Sequence, residues 1–306
     1  MFVLLLVISS AEVITLHETG VSEASACLRN KTLHIIRHAE GHHNADEVAA
    51  EREQVHTLDP VHTQLREEFG IAWMLLERVS GRKYHDPLLT AAGREQAYAL
   101  RSSMRANGED AAIDLVVFSP MRRTISTALL GLPQLETCAA SFELEPPVAP
   151  TAAVPRMVAT DLLRERVGPF MCDSRLSRTE LEATYARLGG NASIDFSEVS
   201  ELDEMFAEGA ERDEPEVGSK LLAARAAAAI EWLAALPDEA RSVAVVGHKH
   251  ILGAVSSLHP RTVSQRPFRN AERRMMTLCV GEEVEEAEEA VVKPVRARVQ
   301  PLGRTN

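Results

Sequence analysis

Two arginines and two histidines stand at or just after the ends of strand-like segments, where they could bind one phosphate group together. Arg37 and His38 end the first segment, His248 ends another, and Arg123 lies just beyond a third. The three segments are residues 33–36, 242–247 and 113–120. An arginine guanidinium matches phosphate oxygens, and a helix N-terminus adds backbone N–H donors. These residue types predict a binding site for a dianion.

Each of these residues also has a structural interpretation when it is taken alone. A single histidine after a strand is usually a structural residue, and we expect His42 and His43 to be exposed in a loop or a first helical turn. The functional interpretation therefore depends on several cationic residues meeting in space.

Short apolar segments predict the strands that would bring these residues together. All three are continuously apolar, as in central parallel strands covered on both faces. Helical patterns over 90–107 and 218–240 alternate with them, which predicts an α/β fold with a parallel sheet. Ligands of such sheets bind at the carboxyl ends of the strands.

The composition is that of a soluble globular protein, with 45% hydrophobic and 25% charged residues among 306. Acidic residues outnumber basic ones by 45 to 33, giving a net charge of −12. This charge argues against general binding to nucleic acid or to an anionic membrane, but allows a locally positive anion site.

The four cysteines are far apart in the sequence and form no C-x-x-C motif. They are Cys27, Cys138, Cys172 and Cys279. The spacing predicts neither a disulfide framework nor a zinc site and favours a reducing, cytoplasmic location. The apolar run 2–8 is too short to span a bilayer and has no basic residues before it, so a secretory signal is the weaker alternative.

Taken in order, the motifs resemble the histidine phosphatase superfamily, which has the phosphoglycerate-mutase-like fold. The matching residues are Arg37-His38-x₅-Asn44, Asp86-Pro-Leu-Leu89-Thr90-x-x-Gly93-x-x-Gln96-Ala97, Ser119-Pro120-x-x-Arg123-Thr124-x-x-Thr127, Leu163-x-Glu165 and Val246-Gly247-His248. Residues 168–185 and 194–199 also resemble a plant and fungal branch described as phosphoglycerate-mutase-like.

The resemblance implies a role for each matching side chain. His38 would be the nucleophile that accepts the phosphoryl group, and Glu165 would protonate the leaving alcohol. The phosphate oxygens would be bound by Arg37, Asn44, Arg123 and His248. Glu165 would need a raised pKa to carry its proton at neutral pH, and Glu143 or Glu145 could compete for its role.

The resemblance also implies the domain organisation. We expect a three-layer α/β/α fold with a mainly parallel central sheet, in a single domain over 29–300. Residues 1–28 would be an N-terminal extension, and insertions over about 45–85 and 133–215 would cap the site. Within these insertions we expect a helix over 67–81 and a proline-rich loop over 133–160.

The expected function is that of a metal-independent, histidine acid phosphatase-type phosphomonoester hydrolase that uses no cofactor and acts on a small phosphorylated substrate. A phosphoglycerate mutase is the first alternative, and a noncatalytic protein that binds a phosphorylated ligand is the second. A metal hydrolase is disfavoured because the histidines form no H-E-x-x-H motif. The substrate and the oligomeric state stay open.

Overall fold

One mixed sheet carries the part of the chain that the structure, a computed structural model, describes. The described residues are 6–9, 12–19, 27–45, 85–109, 113–143, 154–167, 171–188, 192–208, 215–259 and 263–282. The helix expected over 67–81 lies outside them, as does nearly all of the insertion expected over 45–85.

Eight strands in the described residues form the sheet, in the order β1-β2-β8-β3-β7-β4-β5-β6. Their bounds are β1 Leu6–Ser9, β2 Glu12–Glu18, β3 Cys27–Arg37, β4 Leu115–Phe118, β5 Arg156–Thr160, β6 Ile194–Glu198, β7 Ser242–Gly247 and β8 Arg273–Glu282. Strands β3, β7, β4, β5 and β6 are parallel, whereas β8, β2 and β1 add antiparallel pairs on the other side of β3.

Helices cover both faces of this sheet, which confirms the predicted three-layer α/β/α fold with a mainly parallel sheet. The helices are α1 Ala91–Ala106, α2 Arg122–Gly131, α3 Glu136–Glu143, α4 Arg178–Tyr185, α5 Glu204–Glu208, α6 Pro215–Ala234 and α7 Lys249–Leu258. Helices α6 and α7 contribute to one apolar core, and α1 to α4 contribute to the other. Side chains of β7 alternate between the two cores, as the pleat of a doubly covered strand requires.

The segment 133–215 was expected to be a cap, yet it supplies two strands of the central sheet. Strand β5 pairs with β4, and β6 pairs with β5 at the sheet edge. The loop expected over 133–160 is likewise wrong, because this segment contains α3 and β5. Its prolines are concentrated over 144–150, between those two elements, so they obscured the regular structure on either side.

The first residues of the chain also belong to the sheet. Strand β2 pairs antiparallel with β8 over its whole length, and β1 pairs with β2. The described residues of segment 1–28 therefore do not form a separate N-terminal extension, because they belong to the central sheet. No helix among the described residues is long and apolar enough to cross a membrane.

A disulfide bond joins Cys27 to Cys279, contrary to the prediction that the cysteines are unpaired. The two residues are 252 positions apart in sequence, but their Cα atoms are 5.5 Å apart. They lie on β3 and β8, which are neighbouring antiparallel strands. Sequence spacing cannot reveal this contact, because the sheet brings together residues from opposite ends of the chain. Cys138 and Cys172 form no disulfide bond with a described residue.

Candidate active site

The carboxyl ends of three adjacent parallel strands bring the predicted site residues together. His38 follows β3 directly, His248 follows β7, and Arg123 lies in the first turn of α2, just after β4. The rings of His38 and His248 are 5.0 Å apart between centroids. All three side chains are buried, with at most 2% of each residue exposed.

His38 is held in the tautomer that a nucleophile at Nε2 needs. Its Nδ1 lies 2.7 Å from the carbonyl oxygen of Ala39, and a carbonyl oxygen can only accept, so Nδ1 carries the proton and Nε2 has a free lone pair. Burial lowers the pKa of His38 well below its ordinary value, and Arg123, His43 and Arg37 lower it further. The imidazole is therefore neutral at physiological pH.

The loop after His38 is fixed from three sides. The carbonyl oxygen of His38 accepts from the side-chain amide of Asn270 at 3.1 Å, and the amide of Ala39 donates to the Thr127 hydroxyl at 2.9 Å. The amide of Glu40 donates to Gln96 on α1 at 2.9 Å. These bonds give the motif residues Gln96 and Thr127 a physical role, which is to hold the backbone that follows His38.

The N-terminus of α1 packs against the same loop. Thr90 caps this helix by accepting from the amide of Gly93 at 2.9 Å, and its hydroxyl lies 2.7 Å from a carboxylate oxygen of Glu40. A Cβ atom on Gly93 would lie 2.1 Å from the carbonyl oxygen of Glu40. Glycine is therefore required at this position by the close approach of two backbone segments.

Positive charge at the site comes from Arg123 and Arg37. Arg123 donates from Nη1 to the carbonyl oxygen of Cys172 at 2.8 Å, whereas its buried Nε has no hydrogen-bond partner in the described part of the chain. Arg37 donates from Nη1 to the carbonyl oxygen of Phe268 at 2.8 Å. Both guanidinium groups lower the pKa of His38, as expected of cations that are close to it.

His248 has one ring nitrogen bonded and the other available. Its Nε2 lies 3.0 Å from the hydroxyl of Ser119, while its buried Nδ1 has no partner among the described residues. If the Ser119 hydroxyl donates to Nε2, then Nδ1 carries a proton that can bind a phosphate oxygen. Burial, followed by Arg123 and His38, lowers the pKa of His248 well below its ordinary value.

A third imidazole, that of His43, lies beside His38. Its ring centroid is 5.9 Å from that of His38, so the expectation that His43 is an exposed loop residue was wrong. Burial lowers its pKa to about 2, with further contributions from Arg123 and Arg37. A Cβ atom on Gly41 would lie 2.9 Å from this ring. Gly41 therefore leaves room for this ring. His42, by contrast, is exposed as expected.

Asn44 stabilises the loop. Its side-chain oxygen accepts from the backbone amide of Gly41 at 3.2 Å, and its backbone amide donates to the carbonyl oxygen of Gly41 at 2.9 Å. This arrangement holds the turn that carries His43, and phosphate binding by Asn44 stays a prediction.

Glu165 lies at the N-terminus of α7, directly beyond His248. Its carboxylate accepts from the backbone amides of Arg166 at 2.9 Å and His250 at 3.0 Å. Burial alone would raise the pKa of Glu165, but hydrogen bonds from His250 and Arg166, together with the charge of Arg123, hold it below its ordinary value. The raised pKa that a lone glutamic acid donor needs is therefore absent in the free protein. Of its competitors, Glu143 ends α3, and residue 145 lies outside the described residues.

Asp86 connects the loop before α1 to the helix that carries Arg123. Its side chain accepts from the backbone amide of Arg122 at 2.9 Å, and its carbonyl oxygen accepts from the Arg122 guanidinium. Burial raises the pKa of this carboxyl group, while Arg123 and Arg122 oppose the change. Asp86 therefore fixes the first turn of α2, on which Arg123 depends.

Across the described ranges, no group of three or more histidine, cysteine, aspartate or glutamate side chains is arranged to hold a metal ion. Two other histidines contact protein groups: His34 contacts Ser242 and Arg273, and His250 contacts Glu165.

Curated relatives come from a plant, whereas no family model matches the chain. The chain is 28% identical over 242 residues to an Arabidopsis thaliana "phosphoglycerate mutase-like protein", covering 75% of each sequence. It is 25% identical over 267 residues to "phosphoglycerate mutase-like protein 1" of the same plant, covering 82% of each.

Similar solved structures include a phosphoglycerate mutase from Bacillus anthracis, with a TM-score of 0.41, 16% identity, and coverage of 83% of this chain and 93% of that chain. A mycobacterial glucosyl-3-phosphoglycerate phosphatase in complex with VO₃ has a TM-score of 0.38 and 17% identity, and covers 83% of this chain and 98% of its own.

Proposed function

We propose that the chain, as a member of the histidine phosphatase superfamily, is a metal-independent phosphomonoesterase that forms a phosphohistidine on His38. One observation carries this proposal: a buried, neutral imidazole with a free Nε2 lies beside a guanidinium group and a second imidazole. A protein that only binds a phosphorylated ligand does not need a nucleophile in this tautomer.

Phosphoryl transfer to His38 follows from this geometry. Nε2 attacks phosphorus while the bond to the alcohol oxygen breaks, and the charge on the equatorial oxygens is stabilised by Arg123, Arg37 and His248. Since the donors are fixed by the fold, they need little reorganisation as the charge develops. Water then attacks the phosphohistidine, and the electron pair of the P–N bond returns to Nε2.

A phosphoglycerate mutase is the second candidate, because both plant relatives carry "phosphoglycerate mutase-like" in their names. The two activities use the same nucleophile and differ in the acceptor of the phosphoryl group, which is water in a phosphatase and a second hydroxyl in a mutase. We favour hydrolysis because the residues after Glu165 only partly resemble the segment by which the mutases of this superfamily bind a sugar-acid phosphate.

A screen of small phosphomonoesters, read by release of inorganic phosphate, tests this function. We expect turnover by the wild-type protein in the presence of EDTA, inhibition by vanadate, and loss of turnover in His38→Ala. His42→Ala is the matched control, since its side chain is exposed on the same loop.

Three outcomes would reject the proposal. Turnover of substrate by His38→Ala at the wild-type rate would show that His38 is not the nucleophile. Isomerisation of phosphoglycerate without net release of phosphate would assign the chain as a mutase. Binding of phosphorylated ligands without turnover of any ester would leave only the binding function.

A further inference from the structure

We propose that Glu165 and His250 share one proton and act together as the acid that protonates the leaving alcohol. This inference rests on the proposed phosphatase function and adds His250 as a positioning residue that acts through Glu165. It assigns a role to a histidine that no matching motif includes, two positions after His248.

The two side chains form a close pair. Nδ1 of His250 lies 3.2 Å from Oε2 of Glu165, and the backbone amide of His250 lies 3.0 Å from Oε1. The Glu165 side chain is 16% exposed, whereas that of His250 is 53% exposed. The carboxylate is thus enclosed, while its partner contacts solvent.

The backbone on both sides holds this pair in place. Arg225 on α6 donates to the carbonyl oxygens of Arg164 and Glu165. Arg164 is buried and forms an ion pair with Asp203. His250 is in the first turn of α7, which begins directly after His248. The carboxylate is therefore fixed at the start of α7, the helix that begins directly after His248.

The charged groups around His250 and Glu165 determine which of the two side chains holds the proton. Glu165 raises the pKa of His250, and burial, Lys249 and Arg166 oppose this effect. On the other side of the pair, Arg123 stabilises the carboxylate. These opposite changes place the proton of the pair on the imidazole rather than on the carboxylate in the free protein. A phosphate dianion that neutralises Arg123 makes transfer of this proton to Glu165 easier.

The proton returns at the end of each catalytic cycle. As the P–O bond breaks, the alcohol oxygen takes a proton from the Glu165 carboxyl group, which takes the Nδ1 proton of His250. The pair is then neutral imidazole and carboxylate. When water attacks the phosphohistidine, Glu165 accepts a proton from that water and His250 is protonated again. Atoms and charge balance without an additional reactant.

Leaving-group dependence separates this role from a structural one. Nitrophenolate leaves without protonation, whereas an alkoxide requires an acid. We expect His250→Ala to reduce kcat/KM, which reports formation of the phosphohistidine, by about tenfold or more for an alkyl phosphate, and to change kcat/KM for p-nitrophenyl phosphate by less than about twofold. The backbone amide of His250 still binds Glu165 in this variant, which keeps the carboxylate in place.

Three further variants complete the test. Ser257→Ala, at an exposed position of the same helix, should leave both substrates at wild-type rates. His250→Gln should not restore the alkyl phosphate rate, because an amide donates a hydrogen bond but no proton. Combining His250→Ala with Glu165→Gln should cost no more than Glu165→Gln alone, since the two residues act as one unit.

Equal losses for both substrates in His250→Ala, or unchanged rates for both, would overturn the pairing. Those results leave the phosphatase function intact, because that function depends on His38. Absence of all turnover in the wild-type protein would reject the proposed function and the pairing together.

Discussion

At the residue scale, the site is a set of imidazoles kept neutral by their surroundings. His38, His43 and His248 lie close to guanidinium groups, and burial is the main cause of the lowered pKa of each. The motifs predicted His38, His248 and Arg123 because spacing and strand ends are visible in a sequence. They did not predict His43, because only the folded loop turns its ring towards His38, nor the paired His250.

A substitution at His43 tests whether this ring supports the reaction. We expect His43→Ala to lower kcat/KM by about tenfold, since the cavity would admit water beside the nucleophile and weaken the electrostatic stabilisation of the transition state. Gly41→Ala should have a similar effect, because its Cβ would displace the same ring. The measurement is a comparison of steady-state kinetics with His42→Ala; equal values for all three variants and wild type would show that His43 is a bystander.

At the scale of elements, the central strands were predictable and the peripheral ones were not. Strands β3, β4 and β7 are continuously apolar, so their type and position follow from the sequence. Strand β8 begins with two arginines, and β5 follows a proline-rich segment, so neither shows a clear pattern until its neighbours are placed. The pattern Thr90-x-x-Gly93 was recognised as a motif, but its reason is the contact between α1 and the loop after His38.

The contact between α1 and that loop predicts an unusual response to a helix-favouring substitution. Gly93→Ala would stabilise an ordinary helix by about 1 kcal/mol. Here we expect it to destabilise the fold by about 1–3 kcal/mol and to reduce activity, because its Cβ would collide with the Glu40 carbonyl oxygen. Urea unfolding measures the effect, with Ala92→Gly at the exposed neighbouring position as the control. An increase in stability for Gly93→Ala is incompatible with this packing.

At the scale of the whole molecule, strands far apart in sequence meet in one sheet. The bond between Cys27 and Cys279 joins two of these strands. The cytoplasmic prediction relied on unpaired cysteines, and disulfides persist mainly in oxidising compartments, so the composition no longer supports that location.

The buried histidines make the stability of the whole molecule depend on pH. The pKa is lowered, with burial as the largest cause, for His34, His38, His43, His248 and His259. In the unfolded chain these groups bind protons near pH 6.5, whereas the folded chain keeps them neutral. The unfolded state therefore binds more protons below pH 6.5. The free energy of unfolding decreases as the pH is lowered, by up to ~1.4 kcal/mol per pH unit for each group. The raised pKa of His250 opposes this trend but is a single group.

We therefore expect the urea midpoint to decrease from pH 7.5 to pH 5. His259→Asn should flatten this dependence, because burial lowers the pKa of His259 to about 4 and the variant removes its share. A midpoint that is constant or rises towards pH 5 would contradict the neutral state of the buried imidazoles.

Covalent trapping of the phosphoryl group tests the central claim most directly. The protein is mixed with a phosphomonoester that it hydrolyses, and the reaction is quenched in alkali within one turnover. The protein is then digested and analysed by mass spectrometry. The account predicts a phosphoryl group on the peptide that contains His38, formed at least as fast as product and absent from His38→Ala. Turnover with no modification of His38, or with the phosphoryl group on another residue, would contradict it.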